Sequence, residues 1–554
     1  MRRVRKTLLA LAVLSLALQP FASHAASHAW NGSASNAWEN TSNWTGGVPS
    51  STTGNPDTIS AATNNPVQIN TAVNIGTNSL TFGSSSNSLN INSGDSFTGG
   101  AVTLNGASIT GTGSFHASSI SGFGTISAPL TGSISFTANA TDGTNFGGFS
   151  PFVNGTPGTP LTLNNQTLTN ASFTISNHGD FTLNNVTLNG ASLNGVSTNL
   201  NAGSAGGNNY YGLINMTGTN NLNGTITRNN YEVFSINSGT TNLNGATISG
   251  FATNTPGPFI INGGTLNNAS GNSTIGTGPL TMNGGAITNT GGGTFSTTDN
   301  ISGYGSISGL SLGGGGHIVA TGGTMTVNGG SSANPASLGS TSGAGAGFGA
   351  SANSVLDLQG NFNIINPLNI SPTGTTGIVQ LDGLTTTNSG SWATTLNAGA
   401  VNVVNSSTLS GPVISTSTLT LDPSTKLTVN GNYTDSGTMV FDIDNLSSYG
   451  MMDVTGMTTI AGGTIDIDLL SSPQAGYYDL FDSTGGISGW SSATLDISGL
   501  APGFTAQIVP EYNGSNIVEE GLQISQTPEP GTMLLMGLGL AGAAFLRKRM
   551  LSAN

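Results

Sequence analysis

Asp442 and Asp444 alternate along the chain, and Asp466 and Asp468 do the same. On a strand, alternation puts both members of a pair on one face. Two carboxylates on a face can ligate Ca²⁺ or divide acid and base duties in glycoside hydrolysis. The same pattern also makes a solvated strand face whose charge discourages lateral aggregation. The solvated face is the preferred reading. No D-x-D-x-D-G calcium loop and no glycine-aspartate nonapeptide accompanies these four residues, which remain the weak metal candidates. Lyase chemistry would need a basic residue beside acidic ones. Between the basic ends only Arg228 and Lys426 exist, roughly ten turns of a 20-residue repeat apart. His116, His178 and His317 are isolated in polar repeats, and there is no cysteine. No Cys or His pair has metal-ligand spacing, and no Gly-rich loop opens a helix onto a phosphate. The expectation is no catalytic residue, no cofactor, no bound metal and no enzyme activity.

Chemistry done to the chain is easier to read. The C-terminus runs TPEPGTMLLMGLGLAGAAFLRKRMLSAN. Pro528-Glu529-Pro530 is a stiff, extended segment. Thr532 to Leu546 carries no charge, and Arg547, Lys548 and Arg549 then stop it. As a helix this run is roughly 22 Å long, short for a ~30 Å hydrocarbon core unless the arginines snorkel. The basic cluster should stay cytoplasmic. At the other end a basic start, MRRVRK, precedes an apolar run from Leu8 to Leu18 and small residues at Ser23 and Ala25. That is a secretory signal, with cleavage expected after Ala25. Arg2-Arg3 lacks the rest of a twin-arginine signature, so the Sec route and signal peptidase are the expected partners.

Between these ends a short idiom returns. LNGASI begins at Leu104, LNGASL at Leu188, LNGTI at Leu222, LNGATI at Leu243, LNNAS at Leu266 and MNGGAI at Met282. Leu163 and Leu183 are 20 residues apart, and Leu222 and Leu243 are 21 apart. ISGFGTIS at Ile120 recurs as ISGYGSIS at Ile301. A period near 20 with short alternating runs is the mark of a β-solenoid. Asn tolerates left-handed backbone at the corners and can form hydrogen-bonded ladders. The fold class expected is all-β: an elongated right-handed parallel β-helix, with an N-terminal signal peptide and a short C-terminal transmembrane helix.

Composition agrees. Of 554 residues, 84 are Gly and 6% are charged, yet 35% are hydrophobic, too many for a disordered linker. Residues 26–527 hold two basic and 22 acidic residues, a formal charge of −20. Such a body cannot neutralise phosphates, so nucleic acid is excluded as a partner. Without disulfides, stability must come from repetitive packing.

Pro-Glu-Pro, a Gly-rich apolar helix and a terminal basic cluster, in that order, resemble the PEP-CTERM sorting domain. The resemblance covers residues 527–549 and implies that Pro528, Glu529 and Pro530 are read by an exosortase-type membrane protease of Gram-negative bacteria that make exopolysaccharide. Two body segments resemble autotransporter-passenger solenoids: Trp30 to Pro49, with Trp30, Trp38 and Trp44, and the acidic stretch from Asn432 to Trp490. Nine acidic residues fall between Asp435 and Asp496. Aromatic bulk near the start would cover the first turn; a sugar-stacking platform is the alternative. The expected organisation is a signal peptide at 1–25, a Trp-rich cap at 26–50 and solenoid repeats at 51–330. A Gly/Ser/Ala-rich excursion at 331–350 follows, then acidic solenoid turns at 351–526. The sorting tail spans 527–549, with its transmembrane helix at 532–546. The functional expectation is an exported envelope or matrix protein, structural or adhesive. It would be anchored transiently in the inner membrane, then moved to the cell surface or matrix, with exopolysaccharide as a candidate partner. A hydrolase or lyase on the same scaffold is the alternative.

Overall fold

A computed structural model describes residues 27–52, 56–59, 66–139, 160–176, 180–195, 212–228, 232–250, 259–276, 278–313, 315–339, 345–370, 377–388, 390–397, 399–471, 474–527 and 530–551. The expected signal peptide with Ser23 and Ala25, and also His178, Pro528 and Glu529, lie outside the described residues. The chain divides into two compact units, one built from 1–145 and 154–181, the other from 146–153 and 182–554.

Each unit is a β-solenoid of short strands paired in parallel with the turn before and the turn after. In the first, one inward column runs through Leu80, Val102, Ile120, Phe136 and Phe173 in register. In the second, Leu266, Ile287, Ile307, Val327, Leu358, Leu381, Val403, Leu421, Phe441 and Ile467 continue rung upon rung. All of these side chains are buried. Period-2 alternation sends every second residue into the coil, and each buried Leu, Ile, Val or Phe contributes roughly 1.5–3 kcal/mol. Stacked rings reinforce the column: Phe97 on Phe115 at 5.0 Å and Phe234 on Phe259 at 4.9 Å between centroids.

The Leu-Asn idiom stacks on itself at three turns, whereas Leu104 lies opposite Gly122 and Leu266 opposite Thr241. Leu188, Leu222 and Leu243 lie in register on three successive strands. Outside the coil their neighbours form the expected amide ladder. Asn242 donates to Asn221 (3.2 Å), Asn267 donates to Asn242 (3.1 Å), and Thr288 donates to Asn267 (3.0 Å). The repeated phrases ISGFGTIS and ISGYGSIS have a sharper cause. A Cβ on Gly122 would stand 1.9 Å from the carbonyl oxygen of Leu104, and one on Gly303 1.9 Å from that of Met282. Both backbones sit at positive φ, +101° and +121°. Only glycine fits where one turn rests directly on the carbonyl below.

Turn length varies more than the repeat implies. Register partners are 18 residues apart at Phe97 and Phe115, 34 at Leu188 and Leu222, and 30 at Ile467 and Ile497. Within 331–350, Asn334–Leu338 pairs in parallel with Leu310–Leu312 and Val355–Ile364. Gly347–Ala350 pairs with His317–Asn328. Ala336, Leu338, Phe348 and Ala350 point inward. Part of this Gly/Ser/Ala-rich stretch is therefore coil; residues 340–344 are not described. The early tryptophans are buried: Trp30, Trp38 and Trp44 pack edge to face, and Trp38 meets Phe97. Asn43, fully buried, accepts from the backbone of Ala34 and Ser35 and donates to Ser35 Oγ and the Ala37 carbonyl. Buried rings cannot serve as a sugar platform.

The coil does not stay parallel to its end. Phe504–Asn513 and Asn516–Gln526 form an antiparallel hairpin closed across Asn513 and Asn516. Its second strand lies antiparallel on Gly476–Ser488. The turn is Gly514-Ser515, with Gly514 at φ +68°.

Candidate functional site: the acidic strands and the tail

The strand Thr438–Asn445 lies parallel to Thr464–Leu469, which lies parallel to Thr494–Ser498. Register puts Asp442 beside Asp468, and Asp466 beside Asp496. Asp422 directly follows the rung pair Leu421 and Phe441, which brings it to Asp442. Burial, then the charges of Asp422, Asp468 and Asp466, push the Asp442 carboxyl up to about 6. Asp466 is raised as well, by burial and by Asp468 and Asp496. Asp444 stands apart at the strand end, where Asn445 donates to its side chain at 3.1 Å. Three of the four sequence candidates thus meet, joined by Asp422 and Asp496. Among the described residues, no group of three His, Cys, Asp or Glu is arranged to hold a metal ion. Stacked carboxylates can share protons at mildly acidic pH.

Sequence reasoning missed a second acidic face and a buried acid. Asp453 pairs in parallel with Asp482, and across the terminal antiparallel strands Asp482 pairs with Glu519 and Glu519 with Glu511. Lys426 reaches Asp453 at 2.7 Å. Burial and the charges of Glu519 and Asp482 lift Asp479 to about 6. Glu520, on the other face of the same strand, is buried, and its carboxyl is pushed up to about 7 by burial alone. The Gly514-Ser515 turn in EYNGSNIVEE is the signal that could have found this hairpin. A third pair is also new. His28 and Asp57 occupy inward positions in register, with Nδ1 to Oδ1 at 2.8 Å, both buried. Burial raises the Asp57 carboxyl against the opposing pull of His28.

The hairpin leads straight into the tail. Thr527 donates its backbone N–H to the Gly503 carbonyl at 2.7 Å. A helix then runs Pro530–Leu551, with proline at its first turn. Its apolar side chains are open, Leu535 at 74% and Phe545 at 78% exposure, and Arg547 and Lys548 are exposed at the far end. The helix continues through the basic cluster instead of stopping at Leu546, so its charge-free part is only the run expected from sequence. Among the described residues, no helix is long and apolar enough to cross a membrane. The helix expected at 532–546 forms, within Pro530–Leu551.

Residues 526–549 match the family model described as the PEP-CTERM protein-sorting motif. The chain carries that sorting signal. The PEP-CTERM motif implies export, a membrane-anchored C-terminal tail and exosortase processing. No curated protein matches the chain. Among solved structures it is similar to the Haemophilus influenzae Hap adhesin, at 13% identity and a TM-score of 0.32. That match takes in 85% of this chain and 64% of the adhesin's length. The fold assignment rests on the strand register itself.

Proposed function

We propose that this protein is an exported structural or adhesive component of the cell envelope or extracellular matrix of a Gram-negative bacterium, sorted in association with exopolysaccharide. The observation that carries the reading is the PEP-CTERM motif over 526–549. The Sec machinery exports the chain and signal peptidase cleaves after Ala25. The tail then anchors it in the inner membrane, held by Arg547, Lys548 and Arg549, with snorkelling side chains offsetting the short apolar run. An exosortase reads Pro528-Glu529-Pro530, and the body passes to the surface or matrix. A disulfide-free solenoid with few charges suits a scaffold role. Cell fractionation with mass spectrometry of both mature termini tests this. The expected product starts at Ala26, ends near the Pro-Glu-Pro segment and sits in the surface or matrix fraction. A full-length product retained in the inner membrane would contradict it.

One observation favours a second reading, a polysaccharide hydrolase or lyase: Asp442 sits in register with Asp468, its carboxyl raised to about 6. Two carboxyls side by side can divide acid and base roles. Turnover of a carbohydrate panel that is lost in Asp466→Asn would establish it.

A further inference from the structure

In the second unit, a groove of about 500 Å³ crosses three successive rungs. Its floor is bare backbone. Gly411 donates its N–H to the Asn430 carbonyl at 3.0 Å, and Gly456 donates to the Gly431 carbonyl at 3.0 Å. A Cβ on Gly431 would come within 2.5 Å of the Gly411 oxygen. The walls are Asn388, Ser410, Asn430 and Asn432. Asn388 holds the rim by donating Nδ2 to the Trp392 carbonyl at 2.7 Å. The Trp392 indole lies over the bare Cα of Gly390, where a Cβ would sit 2.7 Å from Nε1. That ring is 39% exposed, whereas the three early tryptophans are buried. At the far rung Met457 is 50% exposed, and its N–H donates to Asn432 Oδ1 at 3.0 Å. Asn432 Nδ2 and the whole Asn430 amide have no hydrogen-bond partner among the described residues.

An open indole beside unused amides and hydroxyls has a specific chemical complement. The ring offers an apolar face, and each amide offers both donor and acceptor. No lining residue is charged, and the body carries −20, so a polyanion is disfavoured. Successive rungs lie ~4.8 Å apart, close to the length of one sugar ring. We propose that this groove binds a neutral polysaccharide chain. One sugar stacks on Trp392, and the following units bond through their hydroxyls to Asn430, Ser410 and Asn432. The inference deepens the exopolysaccharide association proposed above and rests on it for the source of the glycan.

Isothermal titration of the full chain, purified in detergent, tests the site. The probes are cellohexaose, maltohexaose and mannohexaose, with polygalacturonate as the anionic comparison. At least one neutral probe should bind and polygalacturonate should not. Trp392→Ala should weaken that binding about tenfold or more. Asn430→Leu, at an exposed position, should also weaken it, and serves if the tryptophan variant fails to fold as judged by its thermal midpoint. Binding by none of the neutral probes, or equal binding by folded Trp392→Ala, overturns the groove. Fractionation of the wild-type protein separates the two ideas. Matrix localisation without probe binding leaves the matrix reading standing alone. Probe binding by a protein absent from the matrix leaves only the groove.

Discussion

Glu520 is buried on the terminal strand, and its Oε2 has no hydrogen-bond partner among the described residues. Its carboxyl is raised to about 7, against roughly 4.3 for an unfolded chain. The folded state therefore binds the proton more tightly. The stability from this group is fully present below about pH 4 and is lost as pH rises towards 7. The loss is on the order of 2 kcal/mol after allowance for solvent access. Thermal unfolding across pH 4.5–8.5 should show the wild type losing stability over that window and Glu520→Gln losing less of it. Parallel pH profiles for the two proteins would contradict the assignment. Gly303 gives a second test. Alanine there meets the Met282 oxygen at 1.9 Å and a φ of +121°, and should cost about 3 kcal/mol or more. At Gly292, φ is +71° and a Cβ would have nothing within 4 Å. Alanine there should cost only about 1–2 kcal/mol for the left-handed backbone. Thermal midpoints of the two variants decide, and equal losses would refute the carbonyl clash.

At the scale of elements, the amide ladder ties separate turns together. Asn242 donates to Asn221 and accepts from Asn267. Asn242→Ala cuts both links and should destabilise by about 1–2 kcal/mol. Hydrogen exchange should rise along Thr219–Arg228 and Thr265–Ser270, the strands that flank it. Unchanged exchange there would mean the ladder is ornamental. The idiom made one link legible, Asn223 donating to Asn189 at 2.7 Å, but not this ladder, in which Asn221 and Asn242 precede their leucines and Asn267 follows Leu266. The cores of both units were legible from their period-2 alternation. What period-based reading could not supply was pairing between unlike segments. Glu511 and Glu519 meet Asp482 through an antiparallel hairpin that shares no idiom with the coil. His28 meets Asp57 through a parallel rung between two segments that look unrelated. Of the alternating aspartates, the sequence placed each pair on one face. Which rung faced which depended on turn lengths of 26 and 30 residues, from Val440 to Asp466 and from Asp466 to Asp496. The excursion expected at 331–350 failed to account for Phe348 and Leu338, whose burial pulls their strands into the coil.

For the whole molecule, charge and tail act together. The chain keeps seven of its nine basic residues at its two ends, flanking a body of −20, which suits export followed by anchoring. Each Arg or Lys forced to the centre of a membrane helix costs about 2.5–3.5 kcal/mol, so Arg547, Lys548 and Arg549 together resist translocation. On the function proposed above, with that cluster held inside, the exosortase meets the Pro528-Glu529-Pro530 segment at the outer membrane-water boundary. The segment is joined to the terminal hairpin through Thr527, whose N–H is bonded to Gly503. On that reading the segment offers the protease a single carboxylate, that of Glu529, and its loss removes the one charged recognition group. Glu529→Ala should therefore leave export and signal cleavage intact while full-length protein accumulates in the inner membrane. Truncation before Thr532 should instead yield soluble protein with no membrane intermediate, because the anchor is gone. Immunoblots of fractionated cells, with intact mass on each band, distinguish these outcomes. If Glu529→Ala is cut and reaches the surface as the wild type does, the carboxylate is not read and the tail serves only as an anchor.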